Sequence, residues 1–276
     1  MNLSEHVARI GLELESRPED VALVRAALTT LVDTAAIDQL LLTDLKTAVS
    51  EACNNVVLHA YGEVPGKMLV TVEIRPTSID VNVRDHGCGI RRLAVSDDRM
   101  GLGLAVMTAL ANRAEFSGPP DGGTEVKLSF DRFPASDGSH PLSVPPADGL
   151  PYDPIENLGG NIVGHVSPAE MVGPVLGRLA RAAAANAGFS VARFHDLYPI
   201  ADAMGNHADR AADGSVSFAI QASRRSLDVI AGPFNHLPDG AEGFVGLADG
   251  VSFEADEDHE LLHLTLIDSA ARDRGG

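Results

Sequence analysis

Glu51, Asn55 and His59 recur at i, i+4 and i+8 in an apolar-periodic stretch, so a helix places all three on one face. A carboxylate and a carboxamide one turn apart can divide work between a hydrated metal ion and a nearby hydroxyl. A solvated polar stripe on an amphipathic helix has the same spacing. Further along, Asp85-His86-Gly87-Cys88-Gly89-Ile90 directly follows a β-branched run. A carboxylate held at a strand end can accept from an exocyclic ring amine, and the alternate glycines let the backbone approach a flat ligand closely. A strand that simply stops in a glycine turn reads the same way. Third, Gly101-Leu102-Gly103-Leu104 stands just before the apolar-periodic run that ends at Asn112. Amides at a helix N-terminus attract anions, and glycine lets phosphates reach them. The segment is not a dinucleotide fingerprint, because the third glycine and the strand-turn-helix context are missing, and the chain has no GxxxxGK[ST] loop.

The elements that must carry these groups follow from periodicity. Val7 to Leu14 alternates as a strand, and Pro18-Glu19-Asp20 opens a helix to about Asp33. A second helical run extends from about Ile37 to Tyr61. Met68 to Ile74 and Ile79 to Val83 read as strands joined by a Pro-Thr-Ser turn, and Glu125 to Phe130 repeats the signal after Asp121-Gly122-Gly123. Gly103 to Asn112 reads as a helix entered through glycines. This order predicts a layered α+β sandwich rather than a doubly wound βαβ fold.

Pro134 to Pro154 is rich in Pro, Gly, Ser and Asp and has little apolar periodicity, so it reads as a linker. The expected division is a domain over 1–133, a linker over 134–159 and a second domain over 160–276. A formal charge of −18 argues against direct nucleic-acid binding. It is uneven, about −6 before residue 136 and about −12 after it. No apolar stretch is long enough to span a membrane, and Glu5, Glu13, Glu15, Glu19 and Asp20 stand where a signal peptide would be apolar, so a cytoplasmic protein is expected. Cys53 and Cys88 are too few for a disulfide framework and lack zinc-site spacing.

In this order and spacing the three segments resemble the GHKL ATPase superfamily, most of all its anti-sigma factor serine/threonine kinases. EACNNVVLHAYGE is similar to that group's N-box, DHGCGI to its first glycine box, and RMGLGLAVMTALANRAEF with DGGTEVKLSF to its second box and closing strand. The resemblance covers roughly residues 5–132. It implies the Bergerat ATP-binding fold, a two-layer α/β sandwich with a mixed sheet covered by helices, and ATP with Mg²⁺ as ligands. It implies that Asn55 binds Mg²⁺, that Glu51 is the base acting on the attacking hydroxyl, and that Asp85, supported by Thr124, takes the adenine amino group. Gly87, Gly89 and Ile90 then give the base room. Gly101, Leu102, Gly103 and Leu104 belong to the lid over the phosphates, with Arg99 beside the transferred group. Cys88 departs from the Pro or small residue common in that group. The activity implied is a protein serine/threonine kinase that sequesters a sigma factor and phosphorylates an anti-anti-sigma protein of STAS type; the alternative is a nucleotide-dependent sequestering switch without significant kinase activity.

Displaced on itself by about 150 residues, the sequence sets Ser167 on Ser16, Glu170 on Glu19, Asp202 on Glu51 and Asn206 on Asn55. Beyond that, Gly232-Pro233-Phe234-Asn235 offers no adenine carboxylate, and GAEGFVGLADG is too short for a lid and helix. Pro174 and Pro199 are expected to shorten or interrupt two helices. The second half thus reads as a degenerate copy of the first, paired with it as an intrachain pseudodimer or joining a homodimer. An unrelated accessory or sensor domain remains the other reading, with the acidic tract 254–260 as a solvated loop.

Overall fold

The computed structural model describes residues 7–89, 98–120, 122–133, 160–255 and 259–269. The proposed linker, Ile90 and part of the acidic tract lie outside the described residues.

Strand β1 (Ala8–Glu15) buries Ala8, Ile10, Leu12 and Leu14 on one face and turns Arg9 and Glu13 to the other. Helix α1 (Pro18–Ala35) starts with proline at its first position, where the missing N–H costs nothing, and ends where Ala36 turns left-handed at φ 50°. Helix α2 (Gln39–Asn55) is capped by Asp38, whose carboxylate accepts from Leu40 N at 2.8 Å and Leu41 N at 3.0 Å, a cap worth about 1 kcal/mol. It buries Leu42, Leu45, Ala48, Val49, Ala52 and Cys53, and passes into a π-helical turn, Val56–Ala60. Then come β2 (Lys67–Ile74), β3 (Ser78–Asp85), helix α3 (Asp98–Leu110), β4 (Arg113–Ser117) and β5 (Glu125–Asp131). The second half holds β6 (Ile162–Ser167), α4 (Val172–Asn186), α5 (Val191–His195), α6 (Leu197–Ala211), β7 (Val216–Ser223), β8 (Ser226–Phe234), β9 (Gly250–Ala255) and β10 (Glu260–Ile267).

The ten strands among the described residues join one sheet in the order β4-β5-β3-β2-β1-β6-β7-β8-β10-β9. The two-layer sandwich is as expected, but the sheet is not mixed. Every pairing among the described residues is antiparallel. The seam is β1 against β6, in register from Arg9 with Ser167 to Leu14 with Ile162. From it the strand order runs outward alike on both sides, β1-β2-β3-β5-β4 and β6-β7-β8-β10-β9. Helices α1 and α4 pack on each other above the seam, with α2 beside α1 and α6 beside α4, over one continuous core.

Two sequence expectations shift. Pro174 and Pro199 each fall on the third residue of α4 and α6, inside the first turn, so neither interrupts its helix. Helix α3 begins at Asp98, five residues ahead of its expected start, and takes in both glycines of Gly101-Leu102-Gly103. Packing explains the extension. Gly103 and Met107, one turn apart, are both buried, while Leu102 is 67% exposed, so the helix presents a small-residue face to α2.

Candidate functional site

Glu51 and Asn55 are half-buried on the last two turns of α2, beside the apolar stripe that seats the helix. Helix α3 crosses them at Gly103. A Cβ built on Gly103 would lie 3.2 Å from Glu51 Oε2 and 3.6 Å from Asn55 Oδ1. The first and third sequence segments therefore meet, and the missing side chain is what lets them. His59 does not continue the stripe as the i, i+8 spacing implies. The π-turn after Asn55 changes the rotation per residue, and His59 is exposed.

The second segment docks under the same helix. Asp85, 1% exposed at the end of β3, donates its N–H to Thr124 O at 3.0 Å, and its Oδ1 accepts from Gly87 N at 2.8 Å. One carboxylate oxygen is thereby fixed, leaving Oδ2 to accept from a ligand. The loop then closes on the π-turn, with Cys88 N donating to Ala60 O at 2.8 Å. Gly87 is required there, since a Cβ on it would come within 2.1 Å of Ala60 O. Gly123, at φ 83°, is as tightly constrained: a Cβ on it would come within 1.9 Å of Asp85 O. Gly89, at φ 74°, faces Gly123 O from the other side. Thr124 is half-buried beside Asp85.

The structure brings together Glu51, Asn55 and Gly103, and separately Asp85, Gly87, Gly89 and Thr124, with the end of α2 as the common support. Gly101 lies within α3, Leu102 and Leu104 are exposed on it, and Ile90 and the side chain of Arg99 lie outside the described residues. Cys53 is fully buried, with its thiol pushed up to about 12 by desolvation, and is inert; Cys88 is exposed.

Sequence reasoning missed Tyr61. Its hydroxyl accepts from His86 N at 2.9 Å and donates to Lys67 O at 2.6 Å, tying the loop after β3 to the start of β2. Burial raises its pKa, so it remains a phenol and keeps that donor. Gly66 makes room for the ring, since a Cβ there would stand 2.2 Å from Tyr61 Cε1. Ser16 holds Gly66 from the other side, its N donating to Gly66 O at 2.8 Å and its Oγ accepting from Gly66 N at 3.0 Å. The available signal was a Tyr-Gly pair closing an apolar helix, which reads as ordinary helix punctuation.

A single amide oxygen, from Asn55, suits Mg²⁺, which usually takes one or two protein ligands and completes its octahedron with phosphate and water. The glycines at 87, 89 and 123 let the backbone of Ala60, Asp85 and Gly123 close tightly around the end of β3, which holds the Asp85 carboxylate in a fixed place.

The family described as the histidine kinase-like ATPase domain matches residues 14–130. The anti-sigma F factor of Pasteuria penetrans is 36% identical over 134 residues, covering 44% of this chain and 88% of that protein. The serine-protein kinase RsbW of Listeria innocua is 39% identical over 80 residues, covering 29% of this chain and 51% of that one. A crystal structure of the RsbU and RsbW domains of Rv1364c from Mycobacterium tuberculosis aligns with 45% of this chain and 33% of its own, at 25% identity and a TM-score of 0.36.

Proposed function

Since the chain belongs to the histidine kinase-like ATPase family, in its branch of anti-sigma factors and serine kinases, we propose that its first half is an ATP- and Mg²⁺-dependent protein serine/threonine kinase. It holds a sigma factor and phosphorylates an anti-anti-sigma protein of STAS type. The observation that carries this reading is the approach of Gly103 to both Glu51 and Asn55 while Asp85 is hydrogen-bonded to Thr124 and the loop after it closes on the π-turn that continues α2.

In this reading Asp85 Oδ2 accepts from the adenine amino group, with Thr124 beside it and the loop glycines holding the backbone around that carboxylate. Asn55 gives its amide oxygen to the cation, which when bound offsets the phosphate charge. Glu51, one turn away, orients the acceptor hydroxyl and takes its proton. Phosphoryl transfer asks mainly for such positioning and charge stabilisation. The lid role of Gly101 and Gly103, with Arg99, Leu102 and Leu104, requires the first turns of α3 to move aside as phosphates enter. Ile90 completes the first glycine box.

The second half, in the same reading, is a degenerate copy that binds no nucleotide and stands where a second protomer would, making an intrachain pseudodimer; a homodimer of whole chains is the other arrangement. The support is the matching strand order on both sides of the seam and the α1–α4 packing. Where the first half has α3, the second shows, among the described residues, only a short 3-10 turn, Glu242–Phe244. Asp202 and Asn206 are exposed on α6, and the rings of Phe234, Phe244 and Phe253 pack around His207.

Transfer of labelled γ-phosphate from Mg·ATP to a small protein of the native host, compared between wild type, Glu51→Ala and Asn55→Ala, tests the proposal. A labelled acceptor that disappears in both variants supports it. ATP binding without any acceptor favours the nucleotide-gated sequestering switch.

A further inference from the structure

At the seam the end of β1, the first turn of α1, the start of β6, the end of α4 and the β7–β8 turn surround a cavity of about 380 Å³. Arg17, Glu19 and Asp20 line it from the first half, and Asn161, Asn186 and Arg224 from the second. None of the residues assigned above to nucleotide lines it.

Asp20 stands in the first turn of α1, where the helix dipole favours a carboxylate. It is 9% exposed, yet among the described residues its carboxylate accepts no hydrogen bond and forms no ion pair. It does not cap α1: Pro18 has no N–H, and the Asp20 amide is already bonded to Arg17 O at 3.0 Å. The guanidinium of Arg17, which acts on it electrostatically, is paired with Glu15 at 2.6 Å. Desolvation first, then Glu19, push the Asp20 carboxyl up to about 6, with Arg17 pulling it back and Glu15 adding to the rise. An isolated buried carboxylate is costly, and a charge of opposite sign removes much of that cost. From the second half, Asn161, Asn186 and the exposed Arg224 line the same cavity, with Asn161 Oδ1 also accepting from Ala222 N at 3.3 Å.

We propose that the seam cavity binds a small organic cation, its primary ammonium seated on the Asp20 carboxylate and reached by the carboxamides of Asn161 and Asn186. The volume is in the range of small-molecule sites. Because the walls come from both halves, the occupant ties them together. This site does not depend on the nucleotide reading and can be tested without ATP.

The test titrates the whole chain with 1,4-diaminobutane at pH 7.5 and 0.15 M salt, by calorimetry and thermal melting, with 1,4-butanediol as the uncharged control. One saturable site per chain and a raised Tm are expected for the diamine and not for the diol. Asp20→Asn weakens binding at least about tenfold, since a hydrogen bond between charged groups is lost. Asp202→Asn, an exposed carboxylate on α6, leaves it unchanged, and Asn186→Asp tightens it. Binding also weakens from pH 7.5 to pH 5, as Asp20 takes up its proton. Equal binding by wild type and Asp20→Asn, or binding that salt abolishes in both, would show only diffuse attraction to a chain of charge −18 and would overturn the proposal.

Discussion

Gly103 lies against Glu51 so closely that a methyl group on it would stand 3.2 Å from Oε2. The contact sets how near α3 can come to the two polar residues of α2. Gly103→Val forces the helices apart. We expect a loss of about 1–3 kcal/mol in denaturant unfolding, the usual range for overpacking, and phosphotransfer reduced more than tenfold. Unchanged transfer would separate Gly103 from the site.

Asp85→Asn keeps a carbonyl oxygen for Gly87 N but replaces the charged acceptor. A hydrogen bond to a charged group contributes about 1.5–3 kcal/mol, so ATP affinity measured by calorimetry should fall roughly ten- to hundredfold with little change in Tm. Equal affinity for ATP in wild type and variant would remove Asp85 from adenine recognition.

Tyr61→Phe retains the ring against Gly66 and loses the hydroxyl that joins His86 N to Lys67 O. Two neutral hydrogen bonds at about 1 kcal/mol each predict a stability loss of about 1–2 kcal/mol and several-fold weaker nucleotide binding. Stability lost without any effect on nucleotide would limit Tyr61 to holding β2.

His207 and Asp20 tilt the pH profile in opposite directions. Burial first, and Arg210 second, depress His207 below its usual 6.5, so the unfolded chain takes the proton more readily and stability falls as pH drops below about 6.5. Asp20 is raised from 3.8 to about 6, so its contribution is present below pH 4 and is lost as pH rises through 6. Urea midpoints at pH 7.5 and 5.5 should therefore show a smaller acid loss in His207→Phe and a larger one in Asp20→Asn than in wild type. The same pH dependence in all three proteins would contradict both assignments.

Cleavage within residues 134–159 should leave two fragments that migrate as one particle in size exclusion, since the β1–β6 ladder and the α1–α4 packing hold them without the connection. Separation of the fragments under native conditions would count against a shared sheet.

How much of this was legible in the sequence depends on how local the cause is. The alternation from Val7 to Leu14 and the helical periodicity from about Ile37 are properties of short windows, and β1 and α2 follow them. The start of α3 was misjudged because glycine spacing suggests a loop, whereas the helix is extended by tertiary contact with α2. The π-turn at Val56–Ala60 and the bridging role of Tyr61 depend on a loop and a strand distant in sequence. Proline and glycine near the middle pointed to separable domains, and periodicity says nothing about which strand will lie beside β1. Its pairing with β6 is visible only in three dimensions.

That pairing also bears on how the protein is made. β1 is synthesised well before β6, so one of its two neighbours comes only after the whole first half, a contact of high sequence separation that slows folding. Until β6 arrives, β1 presents an unpaired edge that the β1 or β6 of another nascent chain can fill. Chains synthesised close together on one message can thus exchange halves, and the yield of correctly closed chains depends on translation rate and crowding as well as on the stability of the finished sheet.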